Sequence, residues 1–245
     1  MSNFSRRKLI TTGLAGAAGA AGLTAAVRLA DRYGLIPPDH SGLYGVGTTL
    51  TYACHRLLTQ HSPAREFSHD QISQKPFAKM RPFKNEAYER MRAGGFADWR
   101  VDVDGMVARP GSFSLAELKS FPSRTQITQL ACEEGWSFIA EWTGVPLAHV
   151  LNLAGALPQA RYVVYFSIQP NWRESIDMAD ALHPQTLLAY GMNGGDLPMG
   201  HGGPVRLRLP RQLGYKSVKF LTRLTVTDSL KRFQKRGSYA WYAGI

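Results

Sequence analysis

Cys132, one of two cysteines in 245 residues, is followed at once by Glu133 and Glu134 and, after Gly135, by Trp136. As a free nucleophile such a thiol is poorly served, because two adjacent carboxylates disfavour the thiolate. As a metal ligand it is well served, since a bound cation deprotonates a coordinating thiol outright. The bland reading of a lone cysteine, a small buried hydrophobe, stands beside these two. The run Gln126 to Leu130 alternates polar and apolar residues and predicts a strand that delivers Cys132 to a loop. Trp142–Thr143–Gly144–Val145–Pro146–Leu147 follows shortly after.

The remaining elements read as short pieces. Trp99, Val101 and Val103 alternate with Arg100 and Asp102 as a half-buried strand, turned back at Asp104–Gly105. Ser114 and Glu117 form a capping box for a short helix that ends before Pro122. Pro146 and Gly155 bracket a helix over 147–154. Residues 162–168 predict a buried strand, 177–182 a short helix and 186–190 a strand, and Asn193–Gly194 a tight hairpin turn. Val205, Leu207 and Leu209 alternate with Arg206 and Arg208, and a last strand covers 220–226. Many short strands with few brief helices predict an α+β, mainly β domain. The glycines at 191, 194 and 195 do not fit a dinucleotide fingerprint.

Composition narrows the partners. An apolar fraction of 44% with 19% charged residues suits a folded core. The net charge of +11 favours an anionic cofactor, an anionic membrane surface or nucleic acid. With no clustered basic helix and no stacking motif, nucleic acid is set aside. Ser5–Arg6–Arg7–Lys8–Leu9–Ile10 is a twin-arginine pattern ahead of a weakly apolar stretch from Thr11 to Ala26. It predicts periplasmic export of an already folded protein, and a retained anchor on the membrane is an open alternative to cleavage near Thr24–Ala25–Ala26. A Cys54–Cys132 disulfide has to be weighed in that compartment. Residues 50–58 read as a helix with an apolar face, so Cys54 is expected as a packed core thiol.

The segment Cys132–x–Glu134–x–Trp136, with Trp142–Thr143–Gly144–x–Pro146–Leu147, resembles the molybdenum-binding loop of the sulfite oxidase superfamily. Within it, the likeness is to the catalytic subunits of the periplasmic methionine-sulfoxide reductase system, and it runs from about 85 to about 219. The resemblance implies a sulfite-oxidase-type fold around one molybdopterin, with Cys132 as molybdenum ligand and catalytic residue. A thiolate is the soft donor that completes the sulfur set begun by the pterin dithiolene.

The resemblance also implies which residues bind the pterin: Asn85, Tyr88 and Glu89, then Ser167, then Arg206, then Ser217, Val218 and Lys219. Read from the residues alone, Asn85 is a helix cap and Arg206 belongs to the solvated face of a strand. His201 stands where those relatives place an Asn, and an exposed loop histidine is the alternative. The implied organisation is a signal segment over 1–30, a loop-rich extension over 31–95 and the molybdopterin-binding oxidoreductase domain over 96–245.

Glu133 and Glu134 are ill suited to sulfite, while Trp136 and Trp142 offer an apolar wall for a neutral organic group. The expected reaction is oxygen-atom transfer or reduction of a small-molecule or protein-bound sulfoxide-type substrate. Without Cys–x–x–Cys–His the chain carries no covalent haem, so electrons are expected from a membrane haem subunit or a soluble cytochrome. Two alternatives remain at this level: a cytochrome-linked sulfite dehydrogenase, and a metal-free secreted binding domain on the same fold.

Overall fold

The computed structural model describes residues 22–38, 45–79, 84–233, 239 and 241–244. The twin-arginine pattern at 5–10 lies outside them. The chain divides into two compact units, up to Thr59 and from Gln60 onward. The first holds helix α1 over residues 22–32 and helix α2, Gly45–Thr59. No helix among the described residues is long and apolar enough to cross a membrane.

The expected helix around Cys54 is present, but its buried residues are Tyr52 and Arg56, and Cys54 is exposed. Tyr52 and Arg56 sit one turn apart on one face. A residue two positions from each points about 200° away at 3.6 residues per turn, so Cys54 is not a core thiol. Both cysteines are free thiols.

The second unit begins with α3 (Glu86–Ala93), β1 (Arg100–Gly105), β2 (Gly111–Ser114) and α4 (Leu115–Ser120). The hairpin β3 (Arg124–Ala131) and β4 (Ser137–Pro146) follows, then α5 (Leu147–Ala154), β5 (Tyr162–Ser167) and β6 (Arg173–Asp177). The chain closes with α6 (Met178–Ala181), β7 (Leu187–Met192), β8 (Gly195–Asp196), β9 (Arg206–Arg208) and β10 (Leu221–Thr227). Two sheets result. One has the order β2-β1-β10-β5-β6, in which β1 and β10 run parallel. The other has the order β3-β4-β7-β8, with β9 paired to β7.

Local chemistry explains the elements. Ser114 Oγ accepts from Glu117 N–H at 3.1 Å while Ser114 N–H donates to the Glu117 carboxylate at 2.7 Å, which closes the capping box of α4. Asn193 and Gly194 take φ of 50° and 78°, the twist a two-residue turn needs to join β7 to β8. Strand β4 was passed over as a strand in the sequence, yet Phe138, Ala140, Trp142 and Gly144 are buried with a period of two. Trp99, Leu118, Leu147, Leu151 and Leu224 belong to the main core, which joins α4 and α5 to residues of both sheets.

Strand β9 overturns the bland expectation. All three residues of Arg206–Arg208 are buried, so the arginines do not form a solvated face. Strand β9 turns its arginines onto Trp142, where each guanidinium lies over the indole ring, at 5.3 Å for Arg206 and 5.2 Å for Arg208.

Candidate active site and cofactor pocket

The β3–β4 register pairs Ala131 with Ser137, and Cys132 to Trp136 make the turn between them. Cys132 N–H donates to the Trp136 carbonyl at 2.9 Å, and Gly135 N–H to the Cys132 carbonyl at 3.1 Å. Gly135 has φ of 88°, a conformation that favours glycine. The thiol therefore projects from a closed turn. It donates to Glu133 Oε2 at 3.3 Å. Burial, chiefly, pushes its pKa up to about 11, with the Glu133 and Glu134 carboxylates adding to the rise. The carboxylates named from the sequence thus act in the expected direction, with burial as the larger cause. A thiol so placed is protonated at neutral pH and weak as a nucleophile.

Cys132 opens onto a cavity of about 370 Å³. His201, Arg206, Ser217, Val218 and Lys219 line the same cavity, although they come from three separate stretches of chain. His201 lies in the 3-10 turn Met199–His201, is 8% exposed, and meets the ring of Phe138 at 5.4 Å. It is thus not an exposed loop histidine. Burial, then the charges of Arg206 and Lys219, press its pKa down to about 4, so it is neutral at pH 7.

Arg206 donates to the His201 carbonyl at 2.9 Å and to the Ser217 carbonyl at 2.5 Å. Lys219 Nζ donates to the carbonyls of Gly200 at 2.6 Å and Lys79 at 2.7 Å. Among the described residues neither cation makes an ion pair. Burial holds Arg206 down at about 9 and Lys219 down at about 7. Two uncompensated cations on a cavity floor favour an anion there. Gly202, with φ of 101°, makes the approach possible: a Cβ on it would fall 2.6 Å from Lys219 Cβ.

The other sequence candidates stand elsewhere. Asn85 caps α3 by accepting from Tyr88 N–H at 3.0 Å, and its Nδ2 reaches the Ile168 carbonyl at 3.5 Å. Tyr88 is 1% exposed, donates to the Gly203 carbonyl at 2.8 Å, and has its hydroxyl pushed up to about 12, mainly by burial. Glu89 is exposed and pairs with Arg92 at 3.3 Å. Ser167 Oγ accepts from Gln169 N–H at 3.0 Å. None of these four lines the cavity. Asn85 and Ser167 instead brace the 168–172 segment, of which Gln169, Pro170 and Trp172 do line it. Of the two expected tryptophan walls, Trp136 faces the cavity; Trp142 is fully buried beneath the arginines.

Further lining residues, Phe77, Lys79 and Tyr239 among them, are not site candidates in the sequence. Phe77 packs edge-on against Trp136 at 4.9 Å, Lys79 pairs with Glu134, and Tyr239 stacks on Tyr215 at 4.7 Å. No local pattern marks Phe77 or Lys79. Beside Tyr239, residues 241–244 pack back on the domain: Trp241 Nε1 donates to Ser175 Oγ at 2.9 Å and Gly244 bridges to Gln212.

A soft thiol, a buried arginine and a half-buried lysine on one cavity fit a cofactor that joins a thiophilic metal to a phosphate. Comparison with known proteins agrees. A 40% identical relative, provisionally named protein-methionine-sulfoxide reductase subunit YedZ1 in Azospira oryzae, aligns over 67% of this chain and 64% of its own. Chains named protein-methionine-sulfoxide reductase catalytic subunit MsrP in Xanthomonas axonopodis and Xanthomonas campestris are each 37% identical, over 54% of this chain and 46% of theirs. The chain therefore spans about half to just under two thirds of these relatives' length. Among solved structures, the sulfane dehydrogenase SoxCD of Paracoccus pantotrophus matches with a TM-score of 0.52 at 26% identity, over 54% of this chain and 39% of that one. The description of the oxidoreductase molybdopterin-binding domain matches residues 89–234, and the chain belongs to that family, a molybdopterin-binding oxidoreductase of sulfite-oxidase-type fold.

Proposed function

We propose that this chain is an exported oxidoreductase that reduces an organic sulfoxide-type substrate, small or protein-bound, with electrons from an external haem partner. The observation that carries the reading is the convergence of Cys132 with Arg206, Lys219 and His201 on one cavity. Cys132 would hold the molybdenum, and Arg206 and Lys219, with Ser217 and Val218 beside them, the pterin phosphate. When bound, the cofactor supplies two-electron chemistry at an oxygen atom.

The protein's part is to place and to exclude. The closed Cys132–Trp136 turn fixes the donor, and His201 is held neutral, able to donate a hydrogen bond without adding charge. Phe77, Trp136 and Trp172 give the mouth an apolar wall suited to a thioether or its oxide, and Glu133 and Glu134 repel a small anion. Asn85, Tyr88 and Ser167 would then support the pterin side from behind the wall, while Glu89 stays in its surface pair with Arg92. The twin-arginine segment supports export to the periplasm, and the fit of a membrane haem subunit or a soluble cytochrome as donor follows from that location.

The test is metal analysis of the exported protein beside Cys132→Ala, then reduction of methionine sulfoxide with a dye donor. About one molybdenum per chain and turnover of the sulfoxide are expected. Rapid oxidation of sulfite with no sulfoxide turnover would replace this reading by the sulfite dehydrogenase. A parent without molybdenum would sink it altogether in favour of a metal-free binding domain.

A further inference from the structure

Arg208 lies outside the cavity, behind Arg206, and its surroundings are unusual for a strut. It is 1% exposed, and its Nη2 donates to Thr128 Oγ1 at 3.1 Å and to the Gln129 carbonyl at 2.5 Å. Its Nε is buried with no hydrogen-bond partner. Among the described residues no carboxylate pairs with it. Arg206 shares the Trp142 ring with it and repels it. A buried, like-charged, incompletely bonded guanidinium is costly, and an apolar side chain of the same length would fill the space at less cost.

We propose that Arg208 is a positioning residue and second charge for the anion subsite, acting through Arg206 on a phosphate-type dianion at the cavity floor. It rests on the cofactor reading above and adds a residue to it. Two features make the coupling direct. Arg206 and Arg208 are two apart on β9 and so project to one face, onto one indole ring. Arg208 also grips β3 at Gln129, three residues before Cys132, so one side chain ties the anion-holding strand to the strand that carries the metal donor. An anion against Arg206 would offset the charge of both guanidinia, which no carboxylate among the described residues does.

The experiment uses the full chain prepared without cofactor, with inorganic phosphate as probe and titration calorimetry at constant ionic strength as readout. Arg208→Met and Arg208→Gln should each weaken phosphate binding about tenfold, the size expected for one removed charge at short range. Arg208→Lys should stay within about threefold of the parent, and Thr128→Val, which deletes one hydrogen bond and keeps the charge, should change nothing. In cofactor-loaded protein, the neutral variants should lose cofactor faster on dialysis. Phosphate binding unchanged in Arg208→Gln would overturn the proposal. So would a loss in Arg208→Lys as deep as in Arg208→Met, which would mark a purely structural role. If Arg208→Met does not fold, Arg208→Gln, which can retain the bond to Gln129, decides. Absence of phosphate binding in the parent would also overturn it. Absence of molybdenum in the exported parent, with the phosphate pattern intact, would sink the cofactor reading and leave Arg208 as an anion-site residue.

Discussion

The segment 206–219 buries two kinds of cation. Arg211 and Lys216 are compensated: Arg211 meets Asp180 at 3.1 Å and Lys216 meets Glu174 at 3.4 Å and the Ser175 carbonyl at 2.9 Å. Gln212 closes the other Asp180 oxygen. Arg206, Arg208 and Lys219 have backbone carbonyls, a hydroxyl and an indole for company, with no carboxylate among the described residues. The paired set is complete within the chain. The unpaired set is complete only with something brought from outside. Burial alone does not separate structure from function in this chain; the sign of what faces each buried charge does.

Breaking the paired set should cost most. Asp180→Asn leaves Arg211 buried without its counter-charge, and chemical denaturation should show a loss of about 3–5 kcal/mol. His201, which faces two of the unpaired cations, should make the cofactor-free chain respond to pH. The folded pKa of His201, about 4, lies below the ordinary 6.5, so its contribution is full above about pH 6.5 and is lost as pH falls toward 4. His201→Gln should flatten that slope by up to about 3 kcal/mol, read from denaturation midpoints across the range. Lys219→Met should leave the stability of the empty chain nearly unchanged and reduce cofactor retention about tenfold, equivalent to about 1.4 kcal/mol; a large fall in melting temperature instead would erase the distinction between the two sets. Glu89→Gln should do least. Its carboxylate pairs with Arg92 on the surface, so a change of under about 0.5 kcal/mol with unaltered metal content is expected.

Much of the framework was legible because its signals are local. The capping box at Ser114, the turn at Asn193–Gly194 and the helix between Pro146 and Gly155 each depend on a few adjacent residues. The burial of Arg206 was not legible, since alternation with Val205 and Leu207 reads as a two-faced strand. Only the arrival of Trp142 from β4 makes the second face an interior. Cys54 failed for a related reason: an apolar helix face does not say which face is covered. Lys79 contributes to the site through its backbone carbonyl and a pairing with Glu134 fifty-five positions away, and no spacing rule reaches that far. Of the ten residues the resemblance singles out, six line the cavity and Asn85, Tyr88, Glu89 and Ser167 do not.

The turn that carries Cys132 is closed by its own backbone, through the bonds between Cys132 and Trp136 and between Gly135 and Cys132. The chain's own amides thus supply bonds that hold this shape, unlike domains in which the ion alone gathers its ligands from an unfolded chain. The order of assembly follows. The polypeptide can reach its final form first and take up its cofactor afterwards, in a bimolecular step whose speed depends on cofactor supply instead of on chain collapse. A folded chain waiting for cofactor would then become active on loading without new synthesis.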